Sequence, residues 1–105
     1  MNATVDLVIA GDGSAARAAA VSALRHGQRV LVVLHSGDAR AARDVRRSLL
    51  TAADADAARL HVMTNAEVVC VDGVDGVEAV VVRHAPTGRL SAVNASAFVS
   101  FDDLW

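Results

Sequence analysis

Residues 5–16, Val-Asp-Leu-Val-Ile-Ala-Gly-Asp-Gly-Ser-Ala-Ala, hold the spacing with the clearest chemical meaning. An apolar run (Val5, Leu7, Val8, Ile9, Ala10) meets Gly11-x-Gly13-x-x-Ala16, and a small-residue segment follows as far as His26-Gly27. Strand, glycine turn and helix in that order gather backbone N–H groups at a helix N-terminus, where a pyrophosphate can bind. Gly11 permits the tight turn, Gly13 lets the backbone approach the ligand, and the small Ala16 lets helix and strand pack closely. Asp12, in the middle of the turn, has two readings. Either its carboxylate caps the helix N-terminus and fills the anion site itself, or it points to solvent and leaves the site open. In the first case, repulsion of a phosphate at ~5 Å and an effective dielectric near 20 is on the order of 3 kcal/mol, about a hundredfold in affinity.

Gln28–Leu34 supplies a second buried strand at the distance a βαβ unit needs. His35 and Ser36 follow it, at the carboxyl end where ligands bind in open α/β sheets. Arg40, Arg43, Arg46 and Arg47 have two readings. One is a solvated helix face with some pairing to Asp44; the other has Arg40 or Arg43 swinging to a phosphate. Ser14, His35 and Asp38 are the residue types of a nucleophilic triad, but Ser14 is better explained as a helix-start residue. His26, His35, His61 and His84 have no metal-ligand spacing. Cys70, inside the strand-like run Val68–Val71, reads as a buried structural thiol.

Composition removes whole chemistries. The 105 residues carry a net charge of −2, and all ten basic residues are Arg. Without Lys there is no phosphate-binding lysine and no Schiff base, and without Tyr no Tyr-Lys proton relay. No basic tract suits nucleic acid. No 18-residue apolar span suits a transmembrane helix, no leader is evident after Met1, and one Cys cannot form an internal disulfide. A soluble cytoplasmic protein is the expectation. The core must be built from small pieces, since 22 Ala and 18 Val stand against three aromatics.

The elements that must position the glycine turn follow from periodicity and punctuation. A helix is predicted over 14–25, with Ala16, Ala19, Ala20, Ala23 and Leu24 as its stripe and Gly27 ending it. A second helix runs to about residue 53, with Ser36 or Asp38 as N-cap and Ala42, Val45, Leu49 and Ala52 inward. Leu60–Thr64 is a third, parallel strand. Glu67–Asp72, Val77–His84 and Leu90–Asn94 read as an antiparallel meander, with Ala85-Pro86-Thr87-Gly88 as one of its turns. Ala97–Phe101 returns to the main sheet beside the first strand. Leu104 and Trp105 are either frayed or docked on a partner subunit.

In this sequence of parts the chain resembles the pyridine-nucleotide-binding domain of thioredoxin reductases and related flavin-dependent disulfide reductases. The landmarks are Val8–Ala16, Gln28–Leu34, Val62–Val68, Gly76–Val80 and Ala97–Phe101. The first 35 residues also resemble the flavin-binding half of those enzymes. The resemblance implies an NADPH- or NADH-binding domain that serves a flavin on a second domain. It places Gly11, Gly13, Ser14 and Ala15 at the dinucleotide phosphates, with His35 and Ser36 near the adenosine ribose. The chain departs from that pattern in three ways. It has no flavin domain and no Cys-x-x-Cys. The run Val33-Leu34-His35-Ser36-Gly37 carries neither the acid that would select NAD nor the arginines that would hold the 2′-phosphate of NADP.

The expectation is one domain over residues 1–105: an α/β, Rossmann-like βαβαβ three-layer fold with a parallel sheet, a three-stranded antiparallel meander and a returning last strand. Gly11, Asp12, Gly13, Ser14, Ala15, His35, Ser36 and Arg40 are the candidate site, with NADP or NAD as cofactor and FAD less favoured. The leading function is a free-standing dinucleotide-binding domain acting with a separate flavoprotein, with no reductase activity alone. The alternative is a non-catalytic domain that keeps the fold and serves as a homodimeric interaction module.

Overall fold

The computed structural model describes residues 3–101. The two expectations about the chain's ends, an absent leader after Met1 and a docked or frayed Leu104-Trp105, lie outside the described residues.

Strand β1 (Ala3–Ala10) leads through the glycine turn into helix α1 (Ser14–Arg25), which buries Ala16, Ala20, Ala23 and Leu24. The helix closes on Gly27, whose φ of 80° a side-chain-bearing residue rarely adopts. The Gly27 N–H donates to the Leu24 carbonyl and the Gln28 N–H to the Ala23 carbonyl, both at 3.0 Å. These bonds satisfy carbonyls that the helix end would otherwise strand. Strand β2 (Val30–Val33) is buried throughout.

Of the two candidate caps for helix α2 (Ala39–Ala53), Asp38 serves, its carboxylate accepting from the Ala41 N–H at 2.9 Å. The inward stripe differs from the predicted one at its end. Ala53 is buried and Ala52 exposed, because steps of four from Val45 and Leu49 arrive at 53. A 3-10 turn at Ala57–Arg59 precedes strands β3 (Leu60–Met63), β4 (Ala66–Asp72), β5 (Ala79–His84) and β6 (Arg89–Ser100).

All six strands form one sheet in the order β3-β2-β1-β6-β5-β4. Strands β3, β2, β1 and β6 run parallel to their neighbours, whereas β6, β5 and β4 pair antiparallel. The fold class is therefore the expected one, with one refinement. The third meander strand and the returning strand are a single strand, β6. No Gly or Pro interrupts Asn94-Ala95-Ser96, so nothing there turns the chain. The first half of β6 pairs with β5 (Arg89 opposite His84 to Asn94 opposite Ala79), and the second half pairs with β1 (Val93 opposite Ala3 to Ser100 opposite Ala10).

Two cores result, one on each face of the parallel strands. Both helices pack on one face, where Ile9, Val30, Val32 and Leu60 meet Ala16, Ala20, Leu24 and Leu49. On the other face Val8, Ala10, Leu31 and Val33 pack against Ala66, Val68, Val80 and Val82 of the meander. Cys70 corrects an expectation: it is exposed. The pairing register of β4 against β5 shifts between Val68 and Cys70, and β4 is an edge strand, so the alternation that would bury the thiol is broken there. No helix among the described residues is long and apolar enough to cross a membrane.

Leu49 is 1% exposed where α2 meets the sheet. Leu49→Ala is expected to cost about 2–5 kcal/mol. Asp38→Ala, which removes only the cap, is expected to cost about 1 kcal/mol. Urea unfolding of the two variants checks both magnitudes and their order.

Candidate functional site

The glycine turn forms because β1 ends against β2 while α1 must start over the same edge. The Gly11 N–H donates to the Val33 carbonyl at 3.0 Å, which anchors the turn beside the end of β2. Gly11 has φ 118° and Gly13 has φ 94° with ψ 178°, a combination that only glycine adopts readily. Gly13 is the N-cap of α1, and no side chain caps the helix. Its carbonyl accepts the Arg17 N–H at 3.0 Å, the first helical bond. Among the described residues, no side chain caps the amides of α1's first turn, whose helix-end potential is positive.

Asp12 is exposed and makes no cap bond to α1, and it lines a cavity beside the turn. Ser14 and Ala15 are exposed at the start of α1, and Ser14 is its first residue. Ala16 is buried, and the side chain at this position stays within the space a methyl group occupies between α1 and the sheet.

His35 and Ser36 are exposed in the loop after β2, and Arg40 is exposed in the first turn of α2. This loop is held in place from the opposite side of the β2–β3 edge. The Asn65 amide donates to the Gly37 carbonyl at 2.6 Å, and the Leu34 carbonyl accepts the Ala66 N–H at 3.0 Å. Asn65 itself has φ 52°, a left-handed conformation that Asn tolerates. Asn65 is a positioning residue that the sequence showed only as part of a strand end. Asp38 is committed to capping α2, so it does not complete a triad with Ser14 and His35.

A cavity of about 170 Å³ opens beside the turn, lined by Gly11, Asp12, Gly13, Ala16, Arg17, Ala20, Val32, Leu34, Val45 and Leu49. The turn residues and Leu34 thus share one concavity, whereas His35, Ser36 and Arg40 are not part of its wall. Arg17 is the residue that pattern reading missed. Its guanidinium donates to the Ser48 hydroxyl of α2 at 2.6 Å, which links the two helices across the cavity. The signal was available in retrospect, since residue 17 lies one helical turn from Gly13 on the turn's side of α1.

Of the α2 arginines, Arg40, Arg43 and Arg47 are exposed, as a solvated face requires, and Arg46 is the half-buried exception. Arg46 donates to the Leu60 and Ala57 carbonyls, Arg25 to the Ala52 carbonyl and Arg59 to the Leu24 carbonyl. No cluster of three or more His, Cys, Asp or Glu side chains among the described residues suits a metal.

No protein-family model matches the chain, and no curated protein matches it. Solved structures do. Over 96% of its length the chain superposes on thioredoxin reductase from Streptococcus pyogenes with a TM-score of 0.69 at 19% identity, covering 32% of that protein. Thioredoxin reductase from Giardia duodenalis gives 0.68 at 15% identity over 94% of this chain and 31% of that one. L-proline dehydrogenase from P. horikoshii gives 0.65 at 18% identity over 94% of this chain and 22% of that one. The chain thus has the Rossmann-type fold found in thioredoxin reductases and related oxidoreductases, and it spans about a third or less of their length.

Gly13→Ala isolates the backbone requirement, because an added Cβ meets nothing within 4 Å. The substitution is expected to cost of order 1–3 kcal/mol through conformation alone, read as a lowered urea midpoint with an unchanged slope.

Proposed function

We propose that the chain is a dinucleotide-binding domain of the thioredoxin-reductase type, with the diphosphate held at the Gly11–Gly13 turn. The observation that carries this reading is the uncapped start of α1 behind two glycines of positive φ. The first-turn amides at Ser14 and Ala15 would hold the diphosphate, which fits a backbone cradle without lysine. At the ribose end the fit is looser. Leu34 is buried and can accept no hydrogen bond from its side chain, so His35, Ser36 and Arg40 are the polar groups left to meet the adenosine. NADP or NAD is the dinucleotide proposed, and FAD is titrated alongside because the first 35 residues resemble the flavin-binding half as well. A bound nicotinamide dinucleotide would supply a hydride, and a flavin on a separate protein would receive it.

A second reading, a homodimeric interaction module with no ligand, draws its support from one observation. The end of β2 presents neither a carboxylate nor a guanidinium at residues 34–37.

Calorimetric titration with NADPH, NADH, FAD and ADP-ribose separates the two. One dinucleotide is expected to bind at micromolar concentration, and flavin-free protein is expected to oxidise no NADPH. With Asp12 exposed, its repulsion of a phosphate falls to roughly 1 kcal/mol in a water-like dielectric. Asp12→Asn is therefore expected to tighten binding by about fivefold. Silence from both proteins with all four ligands overturns the dinucleotide reading, and a dimer at micromolar concentration then favours the second.

A further inference from the structure

The meander covers β1 and β2 but stops short of β3, and this leaves a second concavity of about 420 Å³. It runs along β3 beside Leu31 and Val93 and shares no lining residue with the cavity at the glycine turn. Its floor is apolar and includes Leu31, Met63 and Val93. Its polar groups are Arg46, His61 and Ser91, and no acidic side chain lines it. The volume falls in the range of roughly 300–1,000 Å³ usual for small-molecule sites with apolar walls and a few convergent polar groups.

Arg46 gives this groove its chemical character. The guanidinium has five N–H donors. One, at Nε, goes to the Leu60 carbonyl at 3.3 Å and one, at Nη2, to the Ala57 carbonyl at 2.7 Å. These two bonds fix the group at the groove's edge and leave three donors beside a half-buried cation. A fixed, partly desolvated guanidinium beside an apolar floor favours an anionic acceptor over water. The same bond occupies the Leu60 carbonyl, one of the acceptors an added peptide strand would need at the edge of β3. A small molecule therefore suits the groove better than an extended chain.

We propose that this groove binds a small amphipathic carboxylate, its apolar body on Leu31, Met63 and Val93 and its carboxylate on Arg46, with His61 and Ser91 at the rim. The site is independent of the dinucleotide reading.

The test is an amide chemical-shift titration of the whole chain with octanoate and, in parallel, 1-octanol. Octanoate is expected to give saturable shifts at His61, Met63 and Val93 and none at Gly11–Ala16. One charge-assisted hydrogen bond is expected to make octanoate about tenfold tighter than octanol. Ser91→Trp, a substitution at an exposed strand position, is expected to abolish the shifts while leaving the melting temperature unchanged. Absence of saturable shifts, equal affinity for octanol, or undiminished binding in Ser91→Trp would overturn the proposal. So would octanoate shifts that fade as protein concentration rises, since a second copy would then be the groove's occupant.

Discussion

The fold depends on one strand with two partners. Arg89–Ser100 spends its first half completing an antiparallel ladder with β5 and its second half lying parallel to β1. At Val93 and Asn94 both pairings overlap, so the same two residues join the meander to the nucleotide-type sheet. That continuity ties one side of the meander to β1, and at its other side β4 follows β3 and the Ala66 N–H donates to the Leu34 carbonyl, so the meander is closed over Val8, Ala10 and Leu31 from both sides. The helix-side core alone would leave the parallel strands exposed on one face, and such strands are stable only when both faces are covered.

Small side chains set how the rest is assembled. Ala16, Ala20 and Ala23 contribute little apolar area each, but they let α1 lie close to Ile9 and Val32. That closeness fixes the start of α1 beside the end of β2 and so creates the glycine-turn cavity. What alanine withholds in buried area is supplemented by arginine. Arg25, Arg46 and Arg59 each donate to a main-chain carbonyl near the end of a helix or strand, and Arg17 ties α1 to Ser48. A planar guanidinium with several donors can tie two segments at once, as Arg46 does between Ala57 and Leu60, while its aliphatic stem lies along apolar surface.

The two concavities lie at different places on the same sheet. At the carboxyl end of β1 the chain turns sharply through Gly11–Gly13 to place α1 over the sheet, which leaves an opening beside the turn. Along β3 the meander leaves apolar floor, including Leu31, Met63 and Val93, beside Arg46. The two concavities share no lining residue.

Much of this was legible in the order of residues. Gly11-x-Gly13-x-x-Ala16 after an apolar run fixed a strand, turn and helix, because glycine alone tolerates the turn's dihedrals and small residues alone permit the contact. Gly27 marked the end of α1 for the same local reason, and Asp38 was one of two caps that short-range chemistry allowed. What local chemistry could not decide was set by long-range pairing. The fusion of two expected strands into β6, the exposure of Cys70 at a register shift and the binding of Arg17 to Ser48 all depend on partners far away in sequence. Sequence by itself determined which segments could be strand, turn or helix, since those preferences act within a few residues. Tertiary structure decided which side chains share a cavity, since that depends on registers and crossings that no short window contains.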